Sequence, residues 1–230
     1  MILSEAIENY LKAIFLLCHE RGRATTTALA DWLEVAPASV SGMLKKLSSD
    51  RPKLVQYTRH RGVSLTPAGE KIALEVIRHH RLIEMYLHQA LGYSWDQVHD
   101  EAEKLEHVIS EEFEDRIAEK LGHPEFDPHG DPIPTKNGEL PKLFCSCLST
   151  MSKGQTGRVR RVRNSDPALL RYLAELGIVP DATLTVSEQA PFGGTLHVQV
   201  GAEPGAAAHA LGRPVTDQVF VEVDGTVVDE

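Results

Sequence analysis

VHDEAEKLEH, Val98 to His107, sets two histidines and two acids on one side of a predicted helix. At about 100° per residue, His99, Glu103, Glu106 and His107 fall within an arc of roughly 100°. Imidazoles and carboxylates on one face suit half of a metal site, but a solvated acidic face carries the same residues. The chain continues as VISEEFEDRIAEKLGH, another amphipathic helix with Val108, Ile109, Phe113, Ile117 and Leu121 expected inward. Upstream, Pro67 to Gly92 predicts one long helix through Leu74, Ile77, Leu82, Met85, Tyr86 and Leu87. It sets His80 and Glu84 at i, i+4, with Glu75, His79 and His88 expected at the surface. Apolar stripes with no strand signal between them suit either a homodimer interface or a bundle core.

The first third is helical too. Ser4 is a candidate N-cap for a helix through Ile7, Tyr10, Leu11, Ile14, Leu17 and Cys18 that Gly22 ends. A short helix from Thr26 to Leu33, a break at Glu34 to Pro37 and a helix through ASVSGMLKKLSS make a helix-turn-helix pattern, for which a plain helical hairpin is the alternative. Ala38, Ser39, Ser41 and Gly42 are small enough for close approach to base edges. Thr26, Thr27, Ser39, Ser41, Lys45 and Lys46 can hold phosphates. Leu54 to Tyr57 and Gly62 to Leu65 alternate like two strands around a tip that carries Arg59 and Arg61, which is the pattern of a wing.

His123 to Leu140, HPEFDPHGDPIPTKNGEL, is a Pro- and Gly-rich loop. Beyond it RVRRV, ATLTVSE, TLHVQV and VFVEV read as strands around one short helix at Pro167 to Gly177, a small β-barrel. The expected fold is mainly α with a β C-terminal part: a winged helix-turn-helix over 1–73, a helical domain over 74–141, a linker over 142–152 and a small barrel over 153–230.

Charge distribution favours this division of labour. Of the net −9, residues 76–150 contribute −8, with 15 acids against 7 bases, while residues 1–75 have a net charge of +2 and can meet phosphate. Seven of the 11 histidines share the acidic middle, and oxygen and imidazole ligands together favour divalent cations. Three cysteines, Cys18, Cys145 and Cys147, make a disulfide framework improbable. With no long apolar run and acids at the N-terminus, the sequence reads as cytoplasmic, with no membrane partner.

The helix-turn-helix, LTPAG at Leu65 to Gly69, RHHRLIEMYL at 78–87, VHDEAEKLEHVISEEFEDRI at 98–117 and HPEFDPHGDPIP at 123–134 resemble metal-dependent repressors of the diphtheria toxin repressor (DtxR) type, in the manganese-responsive MntR-like branch. The resemblance covers nearly the whole chain. It implies that the helical domain over 74–141 is a metal-binding and dimerisation domain and that the barrel over 153–230 is SH3-like. It implies an ancillary metal site of His80, Glu84 and His99 with an acid from the C-terminal domain, for which Asp166 is in the expected place. It implies a primary site of Glu103, Glu106 and His107. A cysteine stands at the position of Glu103 in the iron-responsive branch, and a carboxylate there shifts preference toward Mn(II), with Fe(II) second and Zn(II), Co(II) or Cd(II) expected to bind in vitro. Asn9 stands where the family has an acid or methionine, and Lys12 at a place acidic in some manganese regulators. Asp127 in DPHG replaces a cysteine of streptococcal-type members and is either a further ligand or a turn residue; His129 ranks behind it. The implied protein is a homodimer on a palindromic double-stranded operator, with no small-molecule substrate.

Two other readings stay open. In a metalloenzyme the cluster would activate water, but Glu103 stands where an HxxEH peptidase needs histidine, and no ExxH motif suggests a di-iron site. In a metal-independent winged-helix regulator the acidic helix would be mere surface, and Glu106→Ala and His107→Ala would change neither metal stoichiometry nor DNA affinity.

Overall fold

The computed structural model describes residues 3–58, 62–163, 166–201, 203 and 207–224. The chain forms two compact units: Met1–His80 with Glu103–Glu114 and Pro134–Leu140, and Arg81–Ala102 with Asp115–Ile133 and Pro141–Glu230.

In the first unit, helix α1 (Glu5–Arg21) ends at Gly22, whose φ of 72° is the left-handed C-cap conformation. Helix α2 (Thr26–Trp32) starts at Thr25, whose hydroxyl accepts the Ala28 N–H at 3.1 Å. Helix α3 (Pro37–Ser49) has proline in its first turn, where the missing N–H costs nothing. Strands β1 (Val55–Thr58) and β2 (Gly62–Leu65) pair antiparallel, Thr58 opposite Gly62, as the wing. Leu11, Ile14 and Leu17 of α1 share one core with Leu29, Val40, Leu44, Leu47, Val55 and Val63. Truncating any one of these large side chains to alanine is worth about 2–5 kcal/mol, so the placement of α1 and of the helix-turn-helix are tied together.

Helices α4 (Pro67–Leu91), α5 (Val98–Leu105) and α6 (Glu111–Lys120) contribute residues to both units. The helix expected to reach His107 stops at Leu105, and Glu106 to Val108 form a turn. Ser110 starts the next helix: its carbonyl accepts the Glu114 N–H at 2.9 Å and its hydroxyl the Phe113 N–H at 3.3 Å. The break rotates the following face, so Val108 and Phe113, expected inward, are 74% and 49% exposed, while Ile117 is buried. His79, expected at the surface, is also buried.

The second unit holds β3 (Ser146–Cys147), β4 (Thr156–Val162), α7 (Pro167–Glu175), β5 (Thr183–Gln189), β6 (Leu196–Val200), β7 (Ala207–Leu211), α8 (Arg213–Thr216) and β8 (Val219–Val223). The sheet order is β3-β8-β4-β5-β6-β7. This corrects the expected SH3-like barrel: the sheet is open, with β3 and β7 as its two edges. Closure needs hydrogen bonds between the edges, and the two residues of β3 pair with Val221 and Phe220 of β8. Register shifts at Val159/Arg161 and Val186/Glu188 mark irregularities in the ladders. Leu170 and Leu173 of α7 join Val159, Val162, Leu184, Val186, Val198, Val219 and Val221 in the core.

The loop carrying Asp127 and His129 is stitched to β4, whose Val162 N–H donates to the His129 carbonyl at 2.8 Å. That approach requires Gly130: its φ is 86°, and a Cβ there would lie 1.8 Å from the Arg160 carbonyl oxygen. Gly130→Ala is expected to destabilise the second unit by at least about 1–3 kcal/mol, read as a lowered thermal midpoint. Among the described residues, no helix is long and apolar enough to cross a membrane.

Candidate metal centres

In the first unit α1 presents Glu8, Asn9 and Lys12, while Leu11 and Ile14 on its other face anchor it in the core. The His107 Nδ1–H donates to Glu8 Oε2 at 2.6 Å, which fixes the ring, and His107 Nε2 lies 2.8 Å from Asn9 Oδ1. Glu106 Oε1 stands 3.2 Å from the same Nε2, yet it is buried without a well-directed hydrogen bond. The other oxygen of Glu106, Oε2, lies 2.5 Å from His80 Nδ1 and accepts from Lys12 Nζ at 2.6 Å. Lys12 Nζ also donates to Glu103 Oε1 at 2.6 Å and lies 3.2 Å from His80 Nδ1.

Burial opposes ionisation of Glu106, but His107, His80 and Lys12 outweigh it and hold the carboxyl far below its usual range. Burial works against charge on His107, and Glu106 and Glu8 overcome it, raising the imidazole above its ordinary value. Loss of the Nε2 proton would leave a His107 lone pair 2.8 Å from Asn9 Oδ1 and 3.2 Å from Glu106 Oε1. An orphaned buried carboxylate oxygen beside them fits a divalent cation there.

In the second unit His129 is fully buried and stacked on Trp95, ring centroids 5.8 Å apart. Its Nε2–H donates to the Trp95 carbonyl at 2.7 Å, so Nδ1 is left without a hydrogen bond, 3.8 Å from Glu84 Oε2 and 4.0 Å from Asp127 Oδ1. Glu84 Oε1 lies 3.3 Å from His99 Nδ1. Donors about 2.2 Å from a shared ion stand roughly 3–4 Å apart, and this group has that spacing. Asp127 serves the turn as well, its Oδ1 accepting the N–H groups of His129 and Asp131 at 2.8 and 2.9 Å. Burial, with Asp131 and Glu84 nearby, pushes Asp127 up to about 7. Burial works against charge on His129, but Glu84 and Asp127 raise it to about 9.

The expected ligands are distributed over both compact units. Asn9, His80, Glu103, Glu106 and His107 belong to the first unit; Glu84, His99, Asp127 and Asp166 belong to the second. Asp127 and His129 stand together with Glu84 in one group of possible ligands. Asp166 caps α7, its Oδ1 accepting the Ala168 N–H at 2.8 Å, and is part of no His/Cys/Asp/Glu cluster among the described residues. Glu8 was missed, though its place next to Asn9 and four residues before Lys12 was a signal. A further group, Glu75, His79 and Glu111, is less apt, since the His79 nitrogens already meet the Glu106 carbonyl at 3.0 Å and Glu114 at 3.1 Å. No cluster among the described residues contains a cysteine.

The expected DNA-facing residues Thr27, Ala38, Ser39, Lys45 and Lys46 are exposed, and Thr26 and Ser41 half-buried. Arg59 and Arg61 lie outside the described residues.

Known proteins match along this whole layout. The family described as iron dependent repressor, N-terminal DNA binding domain, matches residues 2–63, its metal binding and dimerisation domain matches 66–135, and the FeoA domain matches 147–223. The iron-dependent repressor IdeR of Mycobacterium leprae is 30% identical over 229 residues, covering 93% of this chain and 96% of its own. The regulator MntR of Bacillus pumilus is 34% identical over 114 residues, covering 50% of this chain and 77% of its own. A solved manganese-dependent transcriptional repressor in complex with manganese superposes with a TM-score of 0.85 at 38% identity, covering 94% of this chain and 98% of that one. A winged helix-turn-helix, two nitrogen and oxygen donor clusters and these matches lead to one conclusion: the chain belongs to the DtxR/MntR family of metal-dependent, DNA-binding transcriptional regulators, and is not an enzyme.

Proposed function

We propose that the chain is a cytoplasmic, homodimeric repressor of metal-homeostasis genes whose effector is Mn(II), with Fe(II) as its nearest competitor. The observation that carries this reading is the buried, orphaned Glu106 Oε1 beside His107 Nε2 and Asn9 Oδ1. The donors are imidazole, amide and carboxylate without thiolate, a set suited to Mn(II) or Fe(II); Zn(II), Co(II) and Cd(II) are expected to compete in vitro by the usual affinity order. The names of the relatives, manganese-dependent in one case and iron-dependent in another, support the same pair.

Asn9, Glu106 and His107 would hold the ion of the first centre, with Glu8 orienting the ring; Glu84, Asp127 and His129, with His99 on Glu84, would hold that of the second. When bound, the ion supplies the charge that ties α1 to the turn after α5. The chain does the rest. Asn9 and Leu11 share one helix, so fixing Asn9 against His107 also fixes the core face on which α2, α3 and the wing rest. In a dimer the two α3 helices would then enter major grooves about one turn, roughly 34 Å, apart. Ala38, Ser39 and Ser41 would approach bases, and Thr26, Thr27, Lys45, Lys46, Arg59 and Arg61 phosphates.

Exposed Val108 and Phe113 are the proposed homodimer face. Phe113→Glu is expected to shift the protein toward monomer in sedimentation and weaken its hold on a palindromic duplex. The function itself is tested by selecting from a randomised double-stranded DNA pool in Mn(II) and eluting with EDTA. A palindrome enriched only in the Mn(II) arm is expected; equal retention after chelation would refute the proposal.

A further inference from the structure

Lys12 is the one feature of the first centre that a metal-binding role leaves unexplained. Its ammonium is almost entirely buried, the side chain 9% exposed, and it donates at 2.6 Å to both Glu103 and Glu106. Burying a charge costs several kcal/mol unless it is paired and hydrogen-bonded, so an ammonium kept here fills a cation position. The two oxygens of Glu106 show how that position relates to the metal. Oε2 is taken by Lys12 and His80, while Oε1 is left without a hydrogen bond at His107 Nε2. One carboxylate thus faces two cation positions at once, and one of them is already occupied by a residue of the chain.

Resting on the reading that Asn9, Glu106 and His107 hold a divalent ion, we propose that Lys12 is a resident cation that limits this centre to a single metal ion. Charge balance points the same way. Glu8, Glu103 and Glu106 bring three negative charges, and Lys12 with one divalent ion brings three positive ones, so the centre is neutral when both imidazoles are neutral. A second divalent ion would leave two uncompensated positive charges in a buried site. With glutamate in place of Lys12 there are four negative charges, and two divalent ions balance them.

The test counts Mn(II) bound by the full chain, using isothermal titration and the electron paramagnetic resonance of the bound ion, in wild type, Lys12→Glu and Lys12→Met. In wild type, Glu106→Gln is expected to remove one ion per chain, and the resonance is expected to be that of isolated Mn(II) ions. Lys12→Glu is expected to bind one more ion per chain than wild type and to show the exchange-coupled signal of two neighbouring ions. Lys12→Met, without the added acid, is expected to bind the extra ion more weakly. An exchange-coupled pair in saturated wild type would overturn the proposal whether or not the variants fold. Folded Lys12→Glu with unchanged stoichiometry would overturn it as well. If Glu106→Gln removes no ion from wild type, the metal reading of the centre itself has failed, and the role of Lys12 falls with it.

Discussion

Glu106→Gln is expected to abolish metal-dependent DNA binding while leaving a folded protein. The substitution keeps the side-chain volume and removes the charge that Lys12, His80 and His107 all face. A neutral amide offers the ion no charge where the buried carboxylate did, and Mn(II) affinity is expected to fall at least about 100-fold, which is about 2.8 kcal/mol at 1.4 kcal/mol per tenfold. Fluorescence anisotropy of the selected duplex is expected to show affinity in saturating Mn(II) no better than in EDTA. Wild-type-like Mn(II) dependence in this variant would remove Glu106 from the mechanism.

Glu84→Gln is expected to have the second largest effect, confined to the other centre. Glu84 is 1% exposed and faces His99 through Oε1 and His129 through Oε2. A glutamine amide in its place brings a donor against a lone pair and removes the charge that favours a cation there. One Mn(II) per chain is expected to be lost, together with the Mn(II)-induced rise in the unfolding temperature of the second unit. The centre at Glu106 is expected to keep its ion. Loss of both ions together would show that the two centres are not the independent groups their residues suggest.

Much of this was legible in the residues, and the exceptions have physical causes. The wing was readable because alternation and turn length are local, and α4 because its apolar period is sustained from Pro67 to Leu91. The one-face arithmetic for His99 to His107 assumed an unbroken helix, but Ser110 starts a new one, and Glu106 and His107 are placed by a turn. The strands of the second unit were readable one by one; their pairing was not. β8 lies between β3 and β4, a long-range choice that no local pattern records, and it leaves an open sheet. The capping role of Asp166 was written in Asp166-Pro167, an N-cap followed by proline in the first turn. Lys12 stood out as a departure from the family pattern, but only folding shows that its ammonium reaches two carboxylates about ninety residues away in sequence.

The most direct measurement of the central claim is the affinity of wild type for Mn(II), titrated with and without the selected duplex. Metal and operator favouring the same placement of α1 must strengthen each other by the same factor. The expected result is Mn(II) binding at least about tenfold tighter on DNA, equal to the gain in DNA affinity on adding Mn(II). Identical Mn(II) affinity with and without the duplex would contradict it.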